Sequence, residues 1–318
     1  MGMIRVVLFG TPCFAIPTLE SIWKDNTTTL VGVVTQPDRP AGRGQKICPP
    51  PVKSIAIENG IPLIQTKSVR DDPDVIQFLQ DIGPDVAIVA SFGQFLPSQI
   101  FEFPKYGTLN IHPSLLPLYR GAAPIAHTLL NGDRLTGVSV MKINGYLDSG
   151  PILGMEEFSI SPEANTGELE DALAKLGADL FLRLLHPYVS GTLVPAPQNE
   201  SMATSAPAIL KADSSVNWEW PSTRIHNLVR AFNPNPGART ILRGNLIKLW
   251  KTRIVSEVHT DQHLPIGSAT QFGKRRVRVT CGDRSLIELV QIQPANSRRM
   301  SASEFANGVR LREGEVFG

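Results

Sequence analysis

The feature that most narrows the fold is an alternation of short apolar runs with helix patterns across the first half of the chain. Residues 4–9 form an apolar run of the kind expected for a strand buried on both faces. The spacing then predicts a helix over 14–23, a strand over 30–35 and a long irregular loop from 36 to about 51. A helix over 52–58 is stopped by Gly60, and residues 61–64 are strand-like. Further on come a helix over 73–82, a buried strand over 85–90, a helix over 124–130 and a strand over 138–143. Such βαβ alternation predicts an α/β domain with a mostly parallel, doubly wound sheet. Leu169, Leu173, Leu176, Leu180 and Leu184 recur at three- and four-residue steps, which predicts an amphipathic helix over 167–188 that closes this domain.

From about 193 the texture changes. Pro195, Pro197 and Pro207 sit among Ser, Ala and Asn and read as a linker. Strand-like segments follow at 239–242, 246–253, 268–272, 276–280 and 285–292, separated by turns such as Arg243-Gly244-Asn245, as in a small β-barrel. The expected organisation is a catalytic domain over 1–192, a linker over 193–210 and a barrel domain over 211–318.

The net charge of +2 conceals an asymmetry between these parts. Residues 207–318 carry 17 Lys and Arg against 9 Asp and Glu, a net of +8, whereas residues 1–206 carry 14 against 20, a net of −6. A basic small domain beside an acidic large one points to a polyanionic partner. The basic residues include Lys274-Arg275-Arg276, Arg278 and Arg298-Arg299. No apolar run reaches the roughly 18–20 residues that span a bilayer. Cys13, Cys48 and Cys281 lack metal-ligand spacing, and a reducing cytoplasm is the simplest expectation for them.

Chemistry concentrates in Asn110-Ile111-His112-Pro113-Ser114-Leu115-Leu116-Pro117 and the following Tyr119-Arg120-Gly121-Ala122-Ala123-Pro124. Residues 107–112 read as a short strand that Pro113 ends. Asn110 and His112 then share a face, about 6–7 Å apart along the strand. They lie at a strand's C-terminal end, where open α/β sheets bind ligands. Asp148, within Tyr146-Leu147-Asp148-Ser149-Gly150-Pro151, follows the strand over 138–143 and is expected to meet His112 across neighbouring strand ends. Alone it reads as a turn aspartate. Together the three suit acyl transfer to an amine. Asn110 donates to the developing oxyanion, His112 moves protons near neutral pH, and Asp148 orients the imidazole. A Ser-His-Asp hydrolase built on Ser114 is disfavoured, because no G-x-S-x-G elbow surrounds it. Ser114 is expected to bind ligand or cap a turn. The loop Gln36–Lys46 is basic and glycine-punctuated, and Arg39, Arg43 and Lys46 are candidates for gripping phosphates. Neither a P-loop nor a G-x-G-x-x-G fingerprint is present.

These motifs resemble the signatures of folate-dependent formyltransferases. The opening Phe9-Gly10-Thr11-Pro12 and the stretch from Thr35 to Gly44 are similar to the members that act on methionine carried by tRNA. So are Val229-Arg230-Ala231-Phe232-Asn233-Pro234, Lys248-Leu249-Trp250-Lys251 and Met300-Ser301-Ala302 near the other end. The resemblance implies a Rossmann-like domain followed by an OB-like barrel. It implies transfer of a formyl group from 10-formyltetrahydrofolate to the amine of methionine on initiator tRNA, without a metal. It also implies Asn110, His112 and Asp148 as the catalytic set, Ser114, Leu115, Leu116 and Pro117 along the folate, and Arg43 at the tRNA acceptor end. A monomer is the simplest expectation. Formyl transfer to a nucleotide sugar or purine precursor, hydrolysis of formylfolate, and a non-catalytic tRNA-binding role are the competing expectations. The basic second domain and the intact polar set disfavour them.

Overall fold

The computed structural model describes residues 2–41, 44, 46–255, 264–272 and 276–318. The chain forms two compact units. The first comprises Met1–Pro124, Leu135–Ser159 and Glu170–Pro207; the second comprises Ile125–Arg134, Ile160–Leu169 and Ala208–Gly318.

In the first half the elements run β1 (Ile4–Gly10), α1 (Ile16–Lys24), β2 (Thr28–Thr35), β3 (Arg39–Ala41), β4 (Lys46–Cys48), α2 (Pro51–Glu58), β5 (Leu63–Gln65) and α3 (Pro73–Ile82). They continue with β6 (Val86–Ala90), α4 (Ser98–Phe101), β7 (Thr108–His112), α5 (Pro124–Asn131), β8 (Leu135–Lys142), β9 (Ile152–Ser159) and α6 (Thr166–Val189). Helix starts follow the local chemistry. Pro51 and Pro73 sit in the first turn, where a missing N–H costs nothing, and the Asp72 carboxylate accepts the Asp74 N–H at 3.2 Å. Gly83 ends α3 in the left-handed region.

Seven strands form one sheet in the order β5-β2-β1-β6-β7-β8-β9. The pairs from β5 to β7 are parallel, as the alternation predicts, and β1 at the centre buries Val6, Val7, Leu8 and Phe9 completely. β8 and β9 are antiparallel. β9 has no counterpart in the sequence reading, because Glu156 and Glu157 break its apolar run at the sheet edge. The expected irregular loop after β2 contains a two-stranded ribbon, with Arg39 opposite Cys48 and Ala41 opposite Lys46. Its strands are three residues long and exposed in β4, so no periodicity marks them. α6 packs against β7. A Cβ on Gly177 would lie 2.4 Å from Cγ2 of Ile111. With Ile111 facing that helix, the alternation of β7 turns Asn110 and His112 to the other face.

The second unit contains α7 (Ser222–Ala231), β10 (Ala238–Leu242), β11 (Asn245–Val255), β12 (Ala269–Phe272), β13 (Arg276–Thr280), β14 (Leu286–Pro294), β15 (Met300–Ser301) and α8 (Ala302–Val309). Its strands build an antiparallel OB-like sheet in the order β10-β11-β14-β13-β12, with β15 on β14. All five expected strands are present. The two helices depart from the purely β reading. The buried stripe Ile225, Leu228 and Val229 of α7 has helical spacing, and α8 begins with a Ser301–Glu304 capping box. No helix among the described residues is long and apolar enough to cross a membrane.

Candidate active site

The site is built at the end of β7. His112 is only 4% exposed, and its Nε2 lies 2.9 Å from the Tyr119 carbonyl oxygen. A carbonyl only accepts, so Nε2 carries the proton, and in the neutral ring Nδ1 is bare. Nδ1 faces Oδ2 of Asp148 at 3.7 Å, too long for a direct hydrogen bond. Oδ2 is held instead by the Gly121 N–H at 2.8 Å. The imidazole is therefore oriented by the Tyr119 carbonyl, whereas the expectation assigned that task to Asp148. Asn110 is half-buried in β7, and its amide makes no hydrogen bond among the described residues.

Asp148 arrives differently from the simple picture of adjacent strand ends. β8 runs antiparallel to β7, with Ser139 opposite His112 and Lys142 opposite Leu109. The chain thus leaves β8 at the far end of β7, and the loop over 143–151 returns to bring Asp148 back. Gly150 makes this return possible, since a Cβ there would sit 1.7 Å from the Lys142 carbonyl oxygen. Asp148 itself has φ +47°, a left-handed conformation uncommon outside glycine. Tyr146 and Leu147 on the same loop are exposed.

The segment after β7 is fixed from two sides. The Ser114 hydroxyl donates to the Leu118 carbonyl at 2.6 Å. Ser139 bridges the turn by donating to the Ser114 carbonyl at 2.7 Å and accepting the Leu116 N–H at 3.0 Å. Ser114 and Leu116 are buried, while Leu115 and Pro117 are half-buried. On the other side, residues 119–123 pair with the proline-rich stretch read as a linker. Thr204 Oγ1 accepts the Tyr119 N–H at 2.8 Å, the Arg120 N–H donates to the Thr204 carbonyl at 2.9 Å, and the Arg120 carbonyl accepts the Ala206 N–H at 2.7 Å, a parallel bridge of Arg120 with Ser205. Gly121 has φ +128°, and a Cβ there would lie 2.5 Å from the Ala206 carbonyl oxygen. Gln198 from the same stretch reaches the Asp148 loop and Arg120. Ser139, Gln198 and Thr204 are the residues that sequence reasoning missed, and Tyr119 and Gly121 stood in the stretch it singled out without a role assigned to them. Only the glycine, within Arg120-Gly121-Ala122, carries a local signal for close backbone approach.

The ribbon β3–β4 stands on a polar base. Asp38 accepts Lys53 Nζ at 2.8 and 2.9 Å and Gln65 Nε2 at 2.8 Å, and these two partners hold its carboxyl below the usual carboxylate range. Arg39 and Lys46 are exposed, and neither has an ion-pair partner among the described residues. Arg43 lies outside the described residues, as do Lys274 and Arg275. In the second unit the Arg299 guanidinium covers the Trp250 ring at 3.7 Å and Lys248 Nζ lies 5.2 Å from it. Burial first, and then the nearby cations Lys211, Arg299 and Arg239, push the Lys248 ammonium below its ordinary range. Among the described residues no group of three His, Cys, Asp or Glu side chains is placed to hold a metal ion.

Residues 4–185 match the formyl transferase family and residues 208–310 match the formyl transferase C-terminal domain. A methionyl-tRNA formyltransferase of Roseiflexus castenholzii is 40% identical over 315 residues, 99% of either chain. One of Geobacter metallireducens is 40% identical over 318 residues, the full length of both. Among solved structures, an N-formyltransferase of Helicobacter canadensis in complex with folinic acid and dTDP-3-aminofucose shares the fold. Its TM-score is 0.66 at 20% identity, covering 90% of this chain and 99% of that one. A methionyl-tRNA formyltransferase of Clostridium thermocellum gives a TM-score of 0.55 at 15% identity, covering 80% and 94%. With both regions matched and whole-chain relatives at this identity, the chain belongs to the methionyl-tRNA formyltransferase family.

Proposed function

We propose that this chain transfers the formyl group of 10-formyltetrahydrofolate to the amino group of methionine carried on initiator tRNA, and that Asn110, His112 and Asp148 carry the reaction. The observation that supports this most directly is Nδ1 of His112 facing Oδ2 of Asp148 at 3.7 Å, on the strand that also presents the uncommitted Asn110 amide. An attacking amine must shed a proton, the formyl oxygen gains negative charge, and the leaving nitrogen must gain a proton. The Asn110 amide donates to that oxygen, an effect worth about 10²–10³ in rate for one such donor. His112 moves the proton at Nδ1, while its Nε2–H stays committed to the Tyr119 carbonyl. Asp148 faces the working nitrogen and receives the ammonium of the incoming methionine.

The set fits a folate donor because it combines an amide donor, a proton-transfer group and a carboxylate beside exposed apolar side chains. Leu115, Pro117 and the backbone of 114–117 supply one wall, since the Ser114 hydroxyl is spent on Leu118. Tyr146 and Leu147 supply apolar surface on the Asp148 loop. Arg43, with the exposed Arg39 and Lys46, engages the tRNA acceptor end. The basic residues of 211–318 hold the body of the tRNA, where phosphate contacts dominate affinity. The enzyme acts as a monomer in the cytoplasm. The test is incubation with labelled 10-formyltetrahydrofolate and, in separate arms, methionyl-tRNA, free methionine and an amino nucleotide sugar. Label is expected on methionyl-tRNA alone. Label on the sugar, or released as formate, would overturn the reading.

A further inference from the structure

Gln198 reaches the loop bearing Asp148 from outside that loop's own turn. Gln198 Nε2 donates to the carbonyls of Asp148 at 2.9 Å and Gly150 at 2.7 Å. Its Oε1 accepts from Nε of Arg120 at 3.1 Å and from a terminal guanidinium nitrogen at 2.7 Å. Arg120 is held in turn by both carboxylate oxygens of Glu200, each at 2.8 Å. From this geometry we infer that Gln198, braced by Arg120, is the positioning residue that sets where the Asp148 carboxylate meets His112. The inference rests on the formyl-transfer reading of that pair.

The amide can take only one orientation here. Two carbonyls on one side demand the NH2 group, and a guanidinium on the other demands the oxygen, so a flipped amide would oppose like to like at four contacts. With both protons on backbone carbonyls, Gln198 has none left for a substrate, and any effect on turnover passes through the loop. The loop needs such support. Asp148 has φ +47°, a backbone conformation that persists only where the surroundings enforce it. The second hold on Asp148, the Gly121 N–H on Oδ2, comes from the residue next to Arg120. The brace of the first hold and the donor of the second are thus neighbours, Arg120 and Gly121. The consequence is large because displacing a reacting group by about 1 Å can cost about 10²-fold in rate.

The test is a double-mutant cycle on the full chain with Q198E, Q198L, D148N and the pair Q198E/D148N. Q198E keeps the shape and the Arg120 pairing but gives up both donors; Q198L gives up both functions. Steady-state kcat and KM for the folate donor and for methionyl-tRNA are read beside Tm. The expected result is a kcat lower by about 10–100-fold in both single variants, each KM within about twofold, and a further loss below about threefold when Q198E is added to D148N. The same fold-loss in the D148N background, a loss confined to KM, an unchanged kcat, or unfolding of both variants would each overturn the assignment. A D148N enzyme as active as the wild type would instead remove Asp148 from the reaction, whatever Gln198 does.

Discussion

At the scale of single residues, the site depends on which groups are already committed. Tyr119 takes the Nε2 proton of His112, Gly121 takes one oxygen of Asp148, and Ser114 is consumed by its own turn, leaving Nδ1 of His112 and the Asn110 amide available. Asn110→Ala is therefore expected to lower kcat by about 10²–10³-fold with a small change in Tm, because the amide makes no structural bond among the described residues. Full activity in that variant would show that oxyanion stabilisation comes from elsewhere. Gly121→Ala carries the opposite signature. At φ +128°, with a Cβ 2.5 Å from the Ala206 carbonyl, it is expected to lose about 2 kcal/mol or more, a Tm drop of roughly 4–8 °C. Thermal denaturation by circular dichroism measures it, and an unchanged Tm would mean the ladder with Ala206 is not maintained.

At the scale of elements, what the sequence made legible follows from what holds each piece. β1, α3 and β13 are held by buried side chains, and their apolar periods mark them. Asn110 and His112 were legible for the same reason, since alternation alone puts them on one face of β7. The stretch 194–207 was not, because it is fixed by backbone ladders to Ile152 and Arg120 and by the amide of Gln198, none of which needs an apolar pattern. Its prolines signal the absence of helix, which a linker and a strap share. The path of Asp148 was hidden likewise, because strand direction in β8 is a pairing property absent from its own residues. The ribbon β3–β4, rooted through Asp38 on Lys53 and Gln65, presents Arg39 and Lys46 to solvent. Replacing both with Ala is expected to raise KM for methionyl-tRNA by about tenfold, with KM for the folate donor unchanged. A raised folate KM instead would place the ribbon at the donor.

At the scale of the molecule, charge is divided between the two parts of the chain, net −6 over 1–206 and net +8 over 207–318. Lys211, Arg239 and Arg299 lie near Lys248, a cluster of cations suited to contacting a phosphate backbone. Binding of methionyl-tRNA is accordingly expected to weaken steeply with salt. Lys211→Ala and Arg299→Ala are each expected to reduce the slope of log Kd against log salt concentration by about 1, and an unchanged slope would move the contact off this cluster. The central claim is that binding and chemistry are separable: the cations hold the tRNA while Asn110, His112 and Asp148 do the transfer. The most direct measurement sets labelled formyl transfer by His112→Ala beside its equilibrium affinity for methionyl-tRNA. The expected result is a kcat lower by about 10²-fold or more with Kd within about twofold of wild type. A proportional loss of both, or transfer at the wild-type rate, would contradict it.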